Sequence, residues 1–228
     1  MAEKPIIFSG ESIVAILRGT KTQTRRIIKY YKKSPSEYGR DKFLKMVDTL
    51  NGKPFFGAGF YKDSDVFVMD GEPHVDAVYY KAQYNPGDIV YVKEVFSRIH
   101  GANPRYVYKS TDSDDATLPS VRWRSPYYMP KSAARTWLKI ADVKVERLGD
   151  ISKGDCIAEG ITEWDAWDAG NESFENAGDQ SRFYNYIRAY KIVWNQLNGK
   201  RNGGMYSWDK SPWVWVYTFE RIDGPHNV

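Results

Sequence analysis

Apolar and polar residues alternate along the chain in short runs that predict a β-rich fold with a few helices. Several runs combine β-branched and aromatic residues, a pattern typical of strands. The predicted strands cover residues 5–8, 89–96, 105–108, 137–148 and 213–220. The last run, Trp213–Glu220, is strongly β-prone, so we expect it to lie centrally in a sheet.

Three helices are predicted mainly from apolar spacing and end signals. The first follows Ser9, an N-cap residue, and ends before Gly19, which suits the left-handed conformation after a helix. The second begins after Ser152, which forms a capping box with Asp155, and ends near Gly160. The third carries an apolar stripe that we expect to face the core: Phe183, Ile187, Tyr190, Trp194 and Leu197.

Two stretches interrupt this pattern and are interpreted as insertions in a single domain of residues 1–228. Within residues 29–84 the chain is first polar and basic, with a weak helical pattern at 43–47, and then β-rich from 55 onward. Residues 162–180 hold six acidic residues from position 163 onward and no basic one, which predicts a solvated loop.

Composition favours a folded chain with an anionic ligand. A hydrophobic content of 42% and an aromatic content of 15% exclude a disordered protein. The 8 Trp and 17 Tyr residues can fill a β-rich core or present faces on which nucleobases stack. The net charge is only +4, but residues 1–50 hold 11 Lys and Arg against 5 Asp and Glu. This basic region suits a polyanionic or nucleotide-like ligand.

Several function classes are not expected. A lone cysteine, Cys156, excludes an internal disulfide and fits a reducing cytoplasm. The N-terminus lacks a signal-peptide pattern, and no run approaches the roughly 20 apolar residues that span a bilayer. The three histidines, His74, His100 and His226, are too far apart in sequence to suggest metal ligands. We therefore expect no membrane association, no metal and no cofactor.

The segment Leu17–Arg26 contains four cations and three threonines in ten residues. A lysine that takes part in chemistry needs a lowered pKa, and Arg25 and Arg26 would lower that of Lys21. Thr24 is close enough in sequence for a neutral Lys21 amine to activate its hydroxyl. We expect the segment to leave the preceding helix in a turn. A solvated basic turn and a motif that faces a ligand both fit this pattern.

Side chains elsewhere extend the candidate site. Arg122, Trp123 and Arg124 interleave cations with an aromatic ring, which fits either nucleic-acid binding or the anchoring of a loop. Glu94 comes late in a predicted strand, where a charged residue ordinarily lies on the outer face. Glu159 is expected in the last turn of its helix, where a carboxylate opposes the helix dipole, so a functional use would explain it.

Four blocks of the sequence resemble the ASCH domain, a PUA-like β-barrel family related to RNA-binding modules. They are Gly19-x-Lys21-x-x-Thr24-x-Arg26, Pro86-Gly87-Asp88 with Val92-Lys93-Glu94, Ile157–Ile161, and Trp213–Ile222. The resemblance implies an α+β fold, with a PUA-like β-barrel, flanking helices and the β-rich insertion. The chain most resembles the longer members found in bacteriophage and prophage genomes, which implies a location in a bacterial host cytoplasm.

Some small ASCH proteins are amidohydrolases that remove the acetyl group from N4-acetylcytidine. The resemblance implies that Thr24 is the nucleophile that accepts the acyl group, that Lys21 is its base, and that Glu159 is an acid/base or positioning group. Arg26 would hold the substrate or stabilise the developing oxyanion. The other residues considered for ligand binding are Gly19, Arg25, Glu94, Arg122, Trp123 and Arg124.

Three kinds of function stay open from the sequence. The leading hypothesis is binding of RNA, or of a modified nucleoside or nucleic acid, in a basic pocket around Lys21–Arg26. It is favoured by the chain's length and extra cations, which suggest a ligand larger than a free nucleoside. The alternative is an amidohydrolase acting on an N-acylated cytidine. A ribonuclease, or a phage protein that binds a host factor, is the third, and the oligomeric state is open.

Overall fold

A computed structural model describes residues 3–28, 44–50, 53–61, 77–100, 104–115, 118, 120–175 and 185–224, with the backbone alone for 44–50, 53–61, 77–81 and 171–175. The strands are β1 (Lys4–Ile7), β2 (Gln23–Ile27), β3 (Leu44–Leu50), β4 (Lys53–Tyr61), β5 (Ala77–Lys81), β6 (Ile89–Lys93), β7 (Phe96–Ile99), β8 (Arg105–Tyr108), β9 (Trp137–Arg147) and β10 (Trp213–Ile222). The α-helices are α1 (Gly10–Leu17), α2 (Lys109–Asp112), α3 (Lys153–Ala158), α4 (Glu163–Glu175) and α5 (Tyr186–Asn198).

The largest sheet has five strands in the order β1-β6-β9-β10-β2. β1 runs parallel to β6, and the other neighbours are antiparallel. β9 and β10 form the longest ladder, which shifts register between Thr218 and Phe219. The mixed α+β class is thereby confirmed. The described strands form an open sheet with β1 and β2 at its edges, so the closed barrel remains a prediction.

Two buried clusters lie on opposite faces of this sheet, and β10 contributes to both. Trp215 and Tyr217 belong to the cluster that α1 covers, whereas Val214 and Val216 belong to the cluster that α3, α4 and α5 cover. Because neighbouring strand residues point to opposite faces, a strand covered on both sides is apolar throughout. The prediction that β10 lies inside a sheet is confirmed.

The predicted helix ends are confirmed by their capping contacts. The Ser9 hydroxyl accepts a hydrogen bond from the Ser12 backbone N–H, and Gly19 follows α1 with a φ of 77°. At α3 the Ser152 and Asp155 side chains accept reciprocal backbone hydrogen bonds, so the capping box is complete. Gly160, with a φ of 94°, lets the chain turn directly after this helix.

Two local predictions are wrong. The weak helical pattern at 43–47 falls in strand β3, which pairs with β4 in a separate β3-β4-β5 sheet. The expected acidic loop at 162–180 instead contains helix α4. Its start is capped by Thr162 and Asp165, and Ala166 and Ala169 are buried in the same cluster as α5. Tertiary packing of these small apolar residues outweighs the acidic composition.

The apolar stripe of α5 is only partly confirmed. Tyr190 and Trp194 are buried, but Ile187 is 43% exposed and Leu197 is 59% exposed. Tyr186 and Ala189 are buried instead, so the covered face of the helix is rotated from the predicted stripe. Phe183 lies outside the described residues. Tyr190, which belongs to both faces, contacts Arg25 of β2 and Glu159 directly after α3.

Candidate functional site

The basic segment leaves α1 in a turn at Arg18 and Gly19, as expected, but its last four residues belong to strand β2 (Gln23–Ile27). β2 pairs with β10 at the edge of the sheet, with Thr24 opposite Tyr217 and Arg25 opposite Val216. Since side chains alternate along a strand, Thr24 and Arg26 share the face of the α1 cluster, and Arg25 projects toward the helices on the other face. Sheet pairing therefore separates neighbouring cations that the sequence alone groups together.

Backbone hydrogen bonds join the ends of α1 and α3 to the start of this strand. The Lys21 N–H donates to the Ala15 carbonyl at 3.2 Å, and the Thr22 N–H donates to the Ala158 carbonyl at 2.8 Å. The Gly160 backbone also lies close to Lys21: a β-carbon built on it would be 3.3 Å from the Lys21 Cβ. These contacts bring Glu159 directly beside Lys21.

Lys21 and Glu159 form a buried ion pair. The Lys21 Nζ lies 2.5 Å from Glu159 Oε2 and also donates to the Glu159 backbone carbonyl at 2.6 Å. Only 4% of the Lys21 side chain and 5% of the Glu159 side chain are exposed. The carboxylate that was expected at the helix end thus faces inward, toward the basic segment.

Arg25 binds three carboxylates beneath this pair. Its Nε donates to Glu146 Oε1 at 2.8 Å, and its Nη1 lies 3.3 Å from Glu159 Oε1. Its Nη2 is 2.6 Å from Glu146 Oε1, in an ion pair without hydrogen-bond geometry, and 3.5 Å from Asp155 Oδ1. Tyr190 completes the network, because its hydroxyl donates to Glu159 Oε1 at 3.2 Å. Arg25 therefore holds Glu159 in place from below.

Burial is the main influence on the protonation of this network. It lowers the pKa of Lys21, and nearby Arg26 and Arg25 lower it further, while Glu159 raises it. The direction expected from the sequence is present, although desolvation rather than the neighbouring cations is its chief cause. Burial, followed by the Glu159 charge, raises the pKa of Tyr190 well above its usual value. Tyr190 therefore stays neutral and acts as a hydrogen-bond donor.

A cavity of about 760 Å³ opens above the ion pair. Its described lining includes five cations and a single carboxylate: Lys21, Arg25, Arg26, Lys93, Arg201 and Glu159. Aromatic side chains form much of the wall: Phe8, Tyr84, Tyr127, Tyr190 and Trp194. Thr24 also lines the cavity, and its hydroxyl has no hydrogen-bond partner among the described residues. The cavity thus brings together Lys21, Thr24 and Glu159, a meeting that the sequence had left open.

Arg26 is held at one side of the cavity. Its Nη2 donates to the Ile7 carbonyl at 2.7 Å, and its guanidinium carbon lies 5.1 Å from the centre of the Phe8 ring. The Lys21 Nζ is 6.0 Å from the same ring. Gly19, by contrast, ends α1 and is not among the described residues lining the cavity.

The remaining predicted site residues lie away from the cavity lining. Glu94 is only 1% exposed, contrary to its expected place on an outer face, and the Arg135 guanidinium binds both of its oxygens at 2.9 Å. Arg122, Trp123 and Arg124 line shallow grooves nearby. These three residues form a separate surface.

Several residues of the site were missed by sequence reasoning. Tyr190 belongs to an apolar helical stripe, and Glu146 is a polar position in an alternating strand, so neither pattern distinguishes them from ordinary core and surface residues. Phe8 and Trp194 likewise resemble core aromatics. The sequence carries no local signal for them, because each joins the site through a tertiary contact.

In the described part of the chain, no three His, Cys, Asp or Glu side chains are grouped in a way that could hold a metal ion. None of the helices described is long and apolar enough to cross a bilayer. No protein-family model, curated protein or solved structure matches the chain.

Proposed function

We propose that the cavity binds a nucleotide unit of RNA or of another nucleic acid, including one with a modified base. The observation that carries this proposal is the combination of aromatic walls, five cations and one carboxylate in one cavity of about 760 Å³. Its volume lies in the range of ordinary small-ligand sites, about 300–1,000 Å³. The excess of cations suits a phosphate, and the rings suit a planar base.

The polar groups at the base of the cavity match the edge of a nucleobase. Glu159 can accept a hydrogen bond from an exocyclic amine, and the Lys21 ammonium can donate to a carbonyl oxygen. Arg26, beside Phe8, is suited to a phosphate or a second carbonyl because a guanidinium offers several donors in one plane. Glu159 is fixed by Arg25 and Tyr190, so little ordering is needed on binding.

A PUA-like ASCH fold is part of this proposal. It is supported by the meeting of the four resembling blocks around one sheet: β6, β10, the start of β2 and the end of α3. The Thr22–Ala158 hydrogen bond directly links the first block to the third. These blocks are distant in sequence, so their contact is not a consequence of chain proximity.

Calorimetric titration with cytidine 5′-monophosphate, cytidine and ribose 5-phosphate tests the proposal. We expect the mononucleotide to bind most tightly, because it occupies both the base and phosphate regions. Arg26→Met keeps an apolar stem over Phe8 but removes the donors, and should weaken binding about 10- to 150-fold. Lys139→Met, an exposed cation outside the cavity lining, is the matched control. No binding to the wild-type protein, or unchanged binding by Arg26→Met, would contradict the proposal.

A second candidate, an amidohydrolase acting on an N4-acylated cytidine, is favoured by one observation. The Lys21–Glu159 pair lines the same cavity as the Thr24 hydroxyl, which has no hydrogen-bond partner in the described part of the chain. An ammonium group cannot accept a proton, so the reaction requires Lys21 first to pass its proton to Glu159. Burial favours this transfer, because it lowers the pKa of Lys21.

The reaction then starts with a neutral Lys21 amine and a protonated Glu159 carboxyl, and each proton that leaves one group is accepted by another. Thr24 Oγ1 attacks the amide carbonyl while its proton passes to the neutral Lys21 amine, and Glu159 donates its proton to the departing cytosine nitrogen. An acyl ester of Thr24 and a free amine result. Water then attacks the ester, giving its proton to Glu159, while Lys21 returns a proton to the Thr24 oxygen. The products are the carboxylic acid and the starting side chains.

Incubation with N4-acetylcytidine, with chromatographic detection of cytidine, tests this chemistry. Thr24→Val preserves the side-chain shape and removes the hydroxyl, so we expect no cytidine above the uncatalysed rate. Thr24→Ser is the matched control, because it keeps the hydroxyl and should retain turnover. If wild type and Thr24→Val release cytidine equally, Thr24 is not the nucleophile and this candidate fails for that substrate.

A further inference from the structure

A second surface lies beside the cavity, along the segment Arg122–Tyr128. It consists of two shallow grooves of about 510 and 430 Å³. The lining of the first includes Arg98, Arg122 and Arg124, and that of the second includes Arg122, Trp123, Arg124 and Tyr128. Because Arg122 and Arg124 line both, the grooves form one continuous surface, here called the arginine track.

The arginine track adjoins the cavity at a single turn. Pro126–Tyr128 forms a short 3-10 helix, in which Pro126 and Tyr127 line the cavity while Tyr128 lines the second groove. The Tyr127 and Tyr128 rings are 5.4 Å apart and nearly perpendicular, and each residue is 73% exposed. Two exposed aromatic rings thus stand where the cavity passes into the arginine track.

The charge of the arginine track is of one sign. It includes Arg98, Arg122 and Arg124, and none of the described residues lining either groove is Asp or Glu. Phosphates repeat along a nucleic-acid strand, so a row of cations interleaved with aromatic rings matches it better than it matches an isolated anion. Trp123 and Tyr128 supply rings on which bases can stack.

The backbone of this surface is anchored. Arg124 exchanges two backbone hydrogen bonds with Phe96, at 2.8 and 3.3 Å, and the Ser97 hydroxyl donates to the Arg122 carbonyl at 3.0 Å. The Lys93 amine donates to the Tyr127 carbonyl at 2.5 Å. Since all these contacts use main-chain atoms of the segment, the arginine side chains can be replaced without removing its supports.

We propose that the arginine track binds single-stranded nucleic acid that continues from the nucleotide in the cavity. Arg122 and Arg124 contact phosphates, and Trp123 and Tyr128 stack with bases. This inference rests on the proposed function of the cavity and identifies its ligand as a strand rather than a free nucleoside. RNA and DNA share the chemistry that these groups recognise.

Fluorescence anisotropy with labelled 12-mers of oligouridine and oligothymidine, over a series of salt concentrations, tests the proposal. In the plot of log affinity against log salt, Arg122→Gln/Arg124→Gln should reduce the slope by about 1.4, since each phosphate contact in a single strand contributes about 0.7. Tyr128→Ala should weaken binding about 5- to 150-fold. The control Lys139→Gln/Lys153→Gln removes two exposed cations that are not among the described residues lining the cavity or the grooves. It should change neither the salt slope nor the affinity.

The outcomes separate this proposal from that for the cavity. If cytidine 5′-monophosphate binds but neither 12-mer binds more tightly, the arginine track is not a binding surface and the cavity proposal stands. If a 12-mer binds through Arg122 and Arg124 but the mononucleotide does not bind, the cavity proposal fails instead. Tighter binding of a 12-mer that depends on both arginines supports the track, and comparison of the two 12-mers identifies the preferred sugar. Equal binding of duplex DNA would overturn the preference for single strands.

Discussion

Replacement of Glu159 by glutamine is the sharpest test of the buried charge network. At the 2.5 Å separation of Lys21 Nζ and Glu159 Oε2, the Coulomb attraction is about 7 kcal/mol at an effective dielectric constant of 20. Desolvation of both groups offsets much of it. Glu159→Gln leaves the Lys21 and Arg25 charges in place with little exposure, and breaking such a pair costs about 3–5 kcal/mol.

The measurement is thermal unfolding followed by circular dichroism. For a chain of this size, 1 kcal/mol corresponds to about 2–4 °C, so we expect Glu159→Gln to lower the Tm by about 6–20 °C. Asp209→Asn is the matched control, because Asp209 pairs with Lys191 on the surface with 73% of its side chain exposed. Such a surface pair contributes about 0–1 kcal/mol, so the control should lose no more than about 4 °C.

The stability deficit of Glu159→Gln relative to wild type should depend on pH, because the protonation of Lys21 does. Glu159 raises the pKa of Lys21 against the effect of burial, so its removal lowers that pKa further below 10.5. Between the folded and unfolded pKa values the unfolded chain binds more protons, and stability rises with pH. The deficit of Glu159→Gln should therefore be largest where Lys21 is protonated and should shrink toward pH 10.5. Arg25 stays charged, so part of the deficit should persist.

A double variant checks that the unpaired ammonium causes the loss. Lys21→Met/Glu159→Gln removes both charges, and we expect it to be more stable than Glu159→Gln alone at neutral pH. The coupling between the two sites should fall within about 0.5–3 kcal/mol, as for residues in direct contact. A Tm within about 2 °C of wild type for Glu159→Gln at every pH, with no coupling to Lys21, would refute the buried pair.

Three further predictions concern the supports of the site and its surroundings. Gly160→Ala should lower the free energy of unfolding, measured by urea denaturation, by about 1–3 kcal/mol, because φ is 94° and the new β-carbon would be 3.2 Å from the Ala15 Cβ of α1. Gly19→Ala is the control and should cost less, because Gly19 has a φ of 77° but open space around it. Arg135→Met should lower that free energy by up to about 3 kcal/mol, because Glu94 loses its bidentate partner, while nucleotide affinity stays unchanged. Burial raises the pKa of the Cys156 thiol to about 12, so iodoacetamide should modify it only in urea; rapid modification of the native protein would contradict its burial.

Much of the local structure could be predicted because its causes lie within a few residues. The Ser152–Asp155 capping box and the left-handed Gly19 depend on neighbouring backbone groups, and both are confirmed. The run of β-branched and aromatic residues at Trp213–Glu220 likewise predicted an interior strand correctly. Prediction failed at 162–180, where an acidic composition suggested a loop but small apolar residues pack a helix against α5.

The sequence predicted which residues belong to the candidate site better than it predicted how they are arranged in space. Lys21, Thr24 and Glu159 line one cavity, and Arg25 lines it too, but the Arg25 guanidinium forms ion pairs with Glu146 and Glu159. Glu94 is buried against Arg135. A linear pattern cannot distinguish a cation that faces a ligand from one that neutralises a buried carboxylate, since both require the same residue type.

The sequence by itself determined the short-range features of this protein: helix caps, strand alternation, the basic segment and the set of residues equipped for chemistry. Only the tertiary structure decided that Lys21–Arg26 leads into an edge strand, that Glu159 faces inward, and that Tyr190 joins them. The physical reason is distance along the chain. Lys21 and Glu159 are 138 positions apart, and their contact depends on the strand pairing and helix packing between them.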